Sequence, residues 1–309
     1  MVFAVRNHTV QPLRLLCVGA VALMLAGCAS AGVIGDVFGG GSTPAATTNV
    51  GLTGGAIGPG EDAPGKGDPV AELYNAGLEK LKAGSYKSAA KSFAEVERQH
   101  PYSKWATKAL LMQAFANYQR NAYDDAINAA ERFITLHPGH KDTAYAYYLT
   151  AISQYEQIND VRRDQSRTQK ALEALEEVTR RFPQTPYAVD AAKKSLLAKD
   201  HLAAKEMEVG RYYLNKGSYL AGINRFKKVV TDYQTTSQVP EALYRLAEGY
   251  MALGVVSEAQ TAAAVLGQNF PNSQWYKDAY TIVSTDGQQP VENQSSWISR
   301  TFKKLNPLQ

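Results

Sequence analysis

The sequence predicts an all-α solenoid of five helix pairs, and three observations carry that expectation. From Asp68 onward apolar residues recur at helical spacing. Small residues mark the first helix of each pair at a fixed period: Gly77 and Ala114 stand 37 apart, as do Gly210 and Ala247. The second helices repeat a longer signature at the same period, with aromatic or aliphatic residues around a small one and a helix-ending proline. A helical bundle without repeats has no need for these features to recur in register.

The elements are taken in chain order. Residues 1–27 read as a signal peptide, because Arg6 and Arg14 precede an apolar run from Leu15 to Leu25, which Leu25-Ala-Gly-Cys28 closes. That run is too short to span a bilayer as a permanent helix. Its Leu-Ala-Gly-Cys ending resembles a bacterial lipobox, which implies a thioether lipid on Cys28 and an acylated amino terminus. Several acyl chains hold a protein on a membrane where one does not. Ala29 stands where Asp would favour the inner membrane, so the expected site is the outer membrane, with the chain lipid-anchored and facing the periplasm. Cys17 leaves with the signal, so no internal disulfide is expected in the mature chain. Removing residues 1–27 takes away two arginines and no acid, leaving 31 basic against 29 acidic side chains. That near-neutral balance gives no reason to expect a nucleic-acid partner.

Residues 28–67 form a tether. Twelve of the 24 glycines lie between Gly32 and Gly67, and a coil of that composition spans roughly 31–37 Å. Within it Gly60-Glu-Asp-Ala-Pro-Gly65-Lys66-Gly67 lacks the terminal hydroxyl of a phosphate-binding loop, and no strand precedes it.

Asp68-Pro69 is a helix start, with Asp as cap and Pro at the first helical position. The second helices then align as Tyr86, Ala89, Phe93, Val96 and Pro101, and as Tyr123, Ala126, Ala130, Phe133 and Pro138. A third copy runs through Thr168, Ala171, Leu175, Val178 and Pro183. The fourth has Tyr219, Gly222, Phe226 and Val229 with Gln234 in place of proline, and the fifth has Val256, Ala259, Ala263, Leu266 and Pro271. In the third unit Ala151 keeps the period, but the second helix arrives eight residues late, which places an insertion at about Asn159 to Ser166. Small residues let two antiparallel helices approach, larger ones three and four positions on fill the space, and proline ends the pair. The pattern resembles the tetratricopeptide repeat, lengthened from its usual span of about 34 residues. Residues 68–158 are expected to form an amino-terminal half, and 159–283 a carboxy-terminal half that begins with the insertion. For 284–309 the expectation is a polar tail without fixed structure. The second reading is a short amphipathic helix through Trp297, Ile298, Phe302 and Leu305, suited to a partner or a membrane surface.

Catalytic chemistry has little to work with. The sequence holds no G-x-S-x-G, no H-E-x-x-H and no free mature thiol. His137-Pro-Gly-His140 with Asp142 crudely suggests metal ligands, yet His100-Pro101 and His137-Pro138 occupy one repeat position, so a turn explains them more simply. No enzyme activity, metal or cofactor is expected. Binding is another matter. In tetratricopeptide arrays the first helices line the ligand face, here through Tyr74, Leu78, Leu81, Leu111, Phe115, Tyr118, Tyr148, Ile152 and Tyr155. Such an aromatic and aliphatic trough suits an extended peptide. The last two units offer the more charged set Met207, Arg211, Leu214, Tyr244, Glu248 and Met251.

A lipobox followed by five such repeats resembles the BamD family, also called YfiO or ComL, of the β-barrel assembly machinery. Further residues support the likeness: Asp160-Val161-Arg162-Arg163-Asp164, Phe182-Pro183-Gln-Thr-Pro-Tyr187, Lys199-Asp200-His201-Leu202-Ala203, Arg211-Tyr212-Tyr213 and Asn224-Arg225-Phe226. The resemblance implies a non-enzymatic scaffold that works with BamA, through its POTRA domain, and with smaller lipoproteins to fold and insert outer-membrane proteins. It also implies that the half 68–158 receives the carboxy-terminal segment of the unfolded substrate, and that the half 159–283 docks the partners. The expected substrate residues are Tyr74, Tyr102, Trp105, Phe115, Tyr118 and Tyr148. Those expected to couple to BamA are Arg162, Arg163, Asp164 and Arg225. The main alternative is a repeat-containing pilotin for a secretin or pilus component, which would depend on a single client.

Overall fold

The computed structural model describes residues 68–284 and 289–305. The signal sequence, Cys28 and the glycine-rich tether lie outside the described residues. Twelve α-helices and no strand are present among the described residues. The first pair is α1 (Pro69–Lys82) and α2 (Tyr86–Gln99), the second α3 (Lys104–Gln119) and α4 (Tyr123–Leu136), the third α5 (Thr143–Tyr155) and α6 (Ser166–Arg181). Then come a long helix α7 (Pro186–Asn215), α8 (Tyr219–Asp232), the pair α9 (Val239–Ala252) and α10 (Val256–Asn269), α11 (Gln274–Val283) and α12 (Trp297–Leu305).

Two recurring turns set the period. Between first and second helices the chain enters the left-handed region at Gly84, Asn121, Gly217 and Gly254, with φ from 60° to 74°. There the N–H one residue further on donates back to the carbonyl five residues earlier, as from Ser85 to Lys80 at 2.8 Å and from Ser218 to Tyr213 at 3.0 Å. This is the Schellman closure, which satisfies carbonyls left over at a helix end. The position is 84 then 121, and 217 then 254, so the 37-residue spacing of the sequence is a spacing of turns. In the third unit the same step falls on Ile158, where the insertion begins. The second kind of turn comes after each second helix. The N–H of Ser103 donates to His100, His140 to His137, Thr185 to Phe182, Thr236 to Tyr233 and Ser273 to Phe270. Pro101, Pro138, Pro183 and Pro271 sit at the second position of these turns, where their fixed φ is favourable. Ser103, Thr185 and Ser273 then cap the next helix by accepting from Ala106, Ala188 and Trp275.

Within a pair, packing volume is shared between two registered positions. A methyl group placed on Gly77 would lie 2.7 Å from the Phe93 ring, and one on Gly210 would also collide with Phe226. Where the first position is alanine, at 114 and 247, the residue sixteen later is alanine as well, Ala130 and Ala263, and all four are fully buried.

The buried residues fall into two large clusters, one from Ala71 to Ala191 and one from Ala203 to Phe302. Leu172, Ala198 and Leu202 form a small cluster between them. The second helix of the third unit, through Leu175 and Val178, packs with the amino-terminal cluster, although the sequence reading grouped it with the carboxy-terminal half. The separation falls within α7. This helix begins four residues after Phe182, as α3 begins four after His100, so it starts where the first helix of another unit belongs. Its fourteenth position after Phe182, where Ala114 follows His100, is Leu196 rather than a small residue. No second helix returns there, and α7 runs on until Gly210 supplies the small position for α8. At 30 residues it is about 45 Å long.

The tail also joins the fold. α12 buries Ile298 and Phe302 against the carboxy-terminal cluster. Ile298 and Phe302, of the apolar face read from the sequence, are therefore covered by the chain's own repeats instead of being left for a membrane.

Candidate protein-binding surfaces

The amino-terminal surface is an aromatic wall. Tyr74 on α1 is buried, its ring 5.5 Å from Phe93 and 5.1 Å from Trp105. Burial pushes its phenol up to about 12. Trp105, also buried, has the ammonium groups of Lys104 and Lys108 at 5.5 and 5.2 Å from its ring. Phe115, Tyr118 and Tyr148 are buried in turn along α3 and α5. Tyr148 donates to the Asp190 carboxylate at 2.7 Å, and its ring lies 5.3 Å from Tyr187. Burial first and Asp190 second raise the Tyr148 phenol far above its ordinary range. Tyr118 is raised by burial too, with Glu156, Tyr123 and Asp190 adding to it. Of the six residues expected to touch substrate, five are therefore packed into the helices, and only Tyr102, on the turn after α2, is fully exposed. Partly open on the same first-helix register are Leu78, Leu81 and Tyr155.

Sequence reasoning missed Asp190 and Lys194, and gave no site role to Tyr187 although its segment carries part of the family likeness. Lys194 pairs with Asp190 at 2.8 Å and lies 5.8 Å from the Tyr155 ring. All three sit on the first half of α7, which has no place in the five-unit register, so no repeat signal marks them.

The second surface centres on α7. The inserted loop is held by Gln165, whose side-chain amide donates to the carbonyls of Asp160, Val161 and Arg163 at 3.0–3.2 Å. It docks on α7, where the His201 ring meets the Asn159 carbonyl at 2.7 Å and Lys205 donates to the Arg162 carbonyl at 3.0 Å. Arg162 is mostly exposed and pairs with Glu208 at 3.4 Å. Arg163 is exposed. Asp164 accepts from the Ser166 N–H at the start of α6, and the Ser166 hydroxyl first and this N–H second lower its carboxyl below the usual range. Arg225 lies on α8 and binds Glu206 at 3.1 Å, where Lys228 joins at 2.7 Å. Glu206 and Glu208 are two residues apart on one helix, about 200° around its axis. The structure thus brings Arg162, Arg163 and Asp164 together and sets Arg225 on another side of α7. A ladder of charges continues from Arg162. Glu208 also pairs with Arg211 at 3.2 Å, Arg211 with Glu241 at 3.0 Å, and Arg245 with Glu241 and Glu248 at 3.4 and 2.8 Å.

His100, His137 and His140 behave as turn residues. His137 ends α4, with its N–H donating to Phe133, and burial lowers its imidazole. Among the described residues no group of three or more His, Cys, Asp or Glu is placed to hold a metal ion, and no helix is long and apolar enough to cross a membrane.

Residues 66–266 match the family model YfiO, described as an outer membrane lipoprotein. The chain belongs to the YfiO, or BamD, family. It is similar to the outer membrane protein assembly factor BamD of Caulobacter vibrioides, at 49% identity over 72% of this chain and 73% of that protein. It also resembles the BamD of Rickettsia prowazekii, at 47% identity over 70% of this chain and 86% of that one. The BamD of Neisseria meningitidis serogroup A is 34% identical, covering 68% and 83%. The YfiO match takes in the aromatic wall, the inserted loop and the charge ladder as far as Glu248, and stops short of α11 and α12.

Proposed function

We propose that this chain is the lipoprotein scaffold subunit of the outer-membrane β-barrel assembly complex, anchored to the outer membrane through Cys28 and working without a catalytic site. The observation that carries the reading is its 49% identity to an outer membrane protein assembly factor. In this reading the amino-terminal wall receives the carboxy-terminal segment of an unfolded outer-membrane protein. Tyr102, Leu78, Leu81 and Tyr155 offer it contact area, and the buried rings of Tyr74, Trp105, Phe115, Tyr118 and Tyr148 hold that surface in shape. The inserted loop and Arg225 engage the BamA POTRA domain from separate sides of α7, with other lipoproteins of the complex on the same half.

The deciding experiment is a gentle-detergent pull-down of the full chain tagged at its carboxy terminus. A POTRA-containing β-barrel recovered in near-equal amount is the expected result. Recovery of a secretin or pilus protein without such a barrel would overturn the proposal. Exchanging Arg225 for alanine is expected to lower BamA recovery while the fold, read by circular dichroism, stays intact. Unchanged recovery and unchanged barrel assembly would remove Arg225 from the interface.

A further inference from the structure

The carboxy-terminal half fills the groove over two successive second helices with a helix of its own. Near α12, the Trp297 ring lies 4.9 Å from the Lys227 ammonium and its indole N–H donates to the Tyr250 hydroxyl at 3.2 Å. Ser296 donates to Glu258 at 2.6 Å, and the Asn293 N–H to Thr261 at 3.1 Å. Lys227, Tyr250, Glu258 and Thr261 come from α8, α9 and α10.

A shift of 133 residues relates the first two units to the last two. It carries Tyr86 onto Tyr219 and Tyr123 onto Val256 at the helix starts, and Gly84 and Asn121 onto Gly217 and Gly254 at the left-handed turns. Moved back by 133, the four contacts become Ala94, Asn117, Asp125 and Asn128. All four line a single groove of about 400 Å³ formed by α2, α3 and α4. Its apolar floor includes Ala90, Leu110 and Ala129. The rim differs from its counterpart in charge. Lys87, Lys91, Arg120 and Arg132 stand where the carboxy-terminal half has Leu220, Asn224, Leu253 and Val265. Arg120 is paired with Asp125 at 2.5 Å and Arg132 with Glu97 at 2.6 Å. Lys87 and Lys91 are exposed and have no charged partner among the described residues.

We propose that this groove is a docking site for an amphipathic helix of a partner protein, seated as α12 is seated on α8 and α10. The helix lays its apolar side on Ala90, Leu110 and Ala129, and carboxylates on its edges pair with Lys87 and Lys91. Charge selects the occupant. α12 of a second copy brings Arg300 and Lys303 to an already basic rim, which like-charge repulsion disfavours. The surface lies apart from the aromatic wall and from the inserted loop, and it does not depend on the assembly-complex function.

The test uses the full chain in detergent and a fluorescent peptide of residues 293–305, stapled into a helix, with Arg300, Lys303 and Lys304 replaced by glutamate. Saturable binding is expected by anisotropy, weakened by salt, with a cross-linker on the peptide marking α2 and α4. Lys91→Glu, on an exposed side chain, should weaken binding about tenfold, while Arg225→Ala leaves it unchanged. The same stapled peptide with its natural basic residues should bind about tenfold more weakly than the glutamate form. Four results overturn the proposal: absence of saturable binding, equal binding of both peptides, insensitivity to Lys91→Glu, or cross-links on α8 and α10. Self-association of the full chain through this groove, or its occupation by the chain's own residues 29–67, overturns it as well.

Discussion

At Gly210 one hydrogen atom in place of a methyl group sets how closely α7 and α8 approach. The Phe226 ring that fills the space is fully buried, so it has no room to swing aside. Gly210→Ala should cost about 1–3 kcal/mol through overpacking, read as a lower urea midpoint at unchanged slope. Adding Phe226→Leu to that variant should recover part of the loss. Ala247→Gly, opposite Ala263, meets no such ring and should show the smaller cost of a lost methyl group. The phenols give a second expectation at this scale. Because burial raises Tyr74 to about 12, the folded state holds its proton more tightly than the unfolded chain, whose tyrosines titrate near ~10. The resulting stability is complete below the unfolded value and is lost as pH rises from 10 toward 12. Absorbance of the phenolate at 295 nm should show a group of tyrosines silent at pH 11 in native protein and ionised in urea. The pairings of Gly77 with Phe93 and Gly210 with Phe226 were legible in the sequence, since they repeat. Burial was not: the spacing that put Phe115, Tyr118 and Tyr148 on a ligand face is also the spacing of residues packed between neighbouring repeats. Only three-dimensional contact, such as Tyr148 with Asp190, separates the two cases.

The inserted loop and α12 show what periodicity leaves open at the scale of elements. The late arrival of α6 betrayed the insertion, but the hydrogen bonds that dock it on α7 go to backbone carbonyls, at Asn159 and Arg162, which carry no sequence signal, and add to the exposed Arg162–Glu208 pair. Gln165 is the residue that shapes it. Gln165→Ala removes the three hydrogen bonds its amide gives to loop carbonyls and the one its carbonyl accepts from the Thr168 hydroxyl, each worth about 1 kcal/mol or less. The expected outcome is faster amide exchange confined to residues 156–166, with the melting temperature nearly unchanged. For α12 the amphipathic spacing was visible, yet the choice between a free tail and a docked helix was not. The docking partners lie on α8, α9 and α10, distant in sequence. Ile298→Ala should destabilise the carboxy-terminal cluster by about 2–4 kcal/mol if the helix stays seated. If it unseats, Trp297 emission should shift to the red. Either change exceeds what a solvated tail would give, so an indifferent variant would contradict the seating of α12.

Across the whole molecule, the five-pair plan was readable because four of the pairs share one left-handed turn and one packed volume, and all five end on the same second turn. The continuity of α7 was not. Leu196 breaks the pattern by being large where a small residue is due, and a departure of that kind is recognised only once the chain is seen to continue. Residues on either side of that point belong to different cores, and the halves are linked through one helix, the small cluster around Leu202 and the inserted loop docked on α7. Each helical residue rotates its successor by about 100° and advances it by about 1.5 Å. The number of residues between Ala191 and Ala203 therefore acts as a phase setting. It fixes the direction in which the carboxy-terminal ligand faces lie when the amino-terminal ones hold theirs, much as the keyway on a shaft fixes the timing of two cams. Adding one alanine between Leu197 and Ala198 would leave both cores their own residues while rotating His201 and Lys205 away from the inserted loop. Hydrogen exchange should then report an unprotected loop between two protected halves, and any task that needs both halves at once should fail although each still binds.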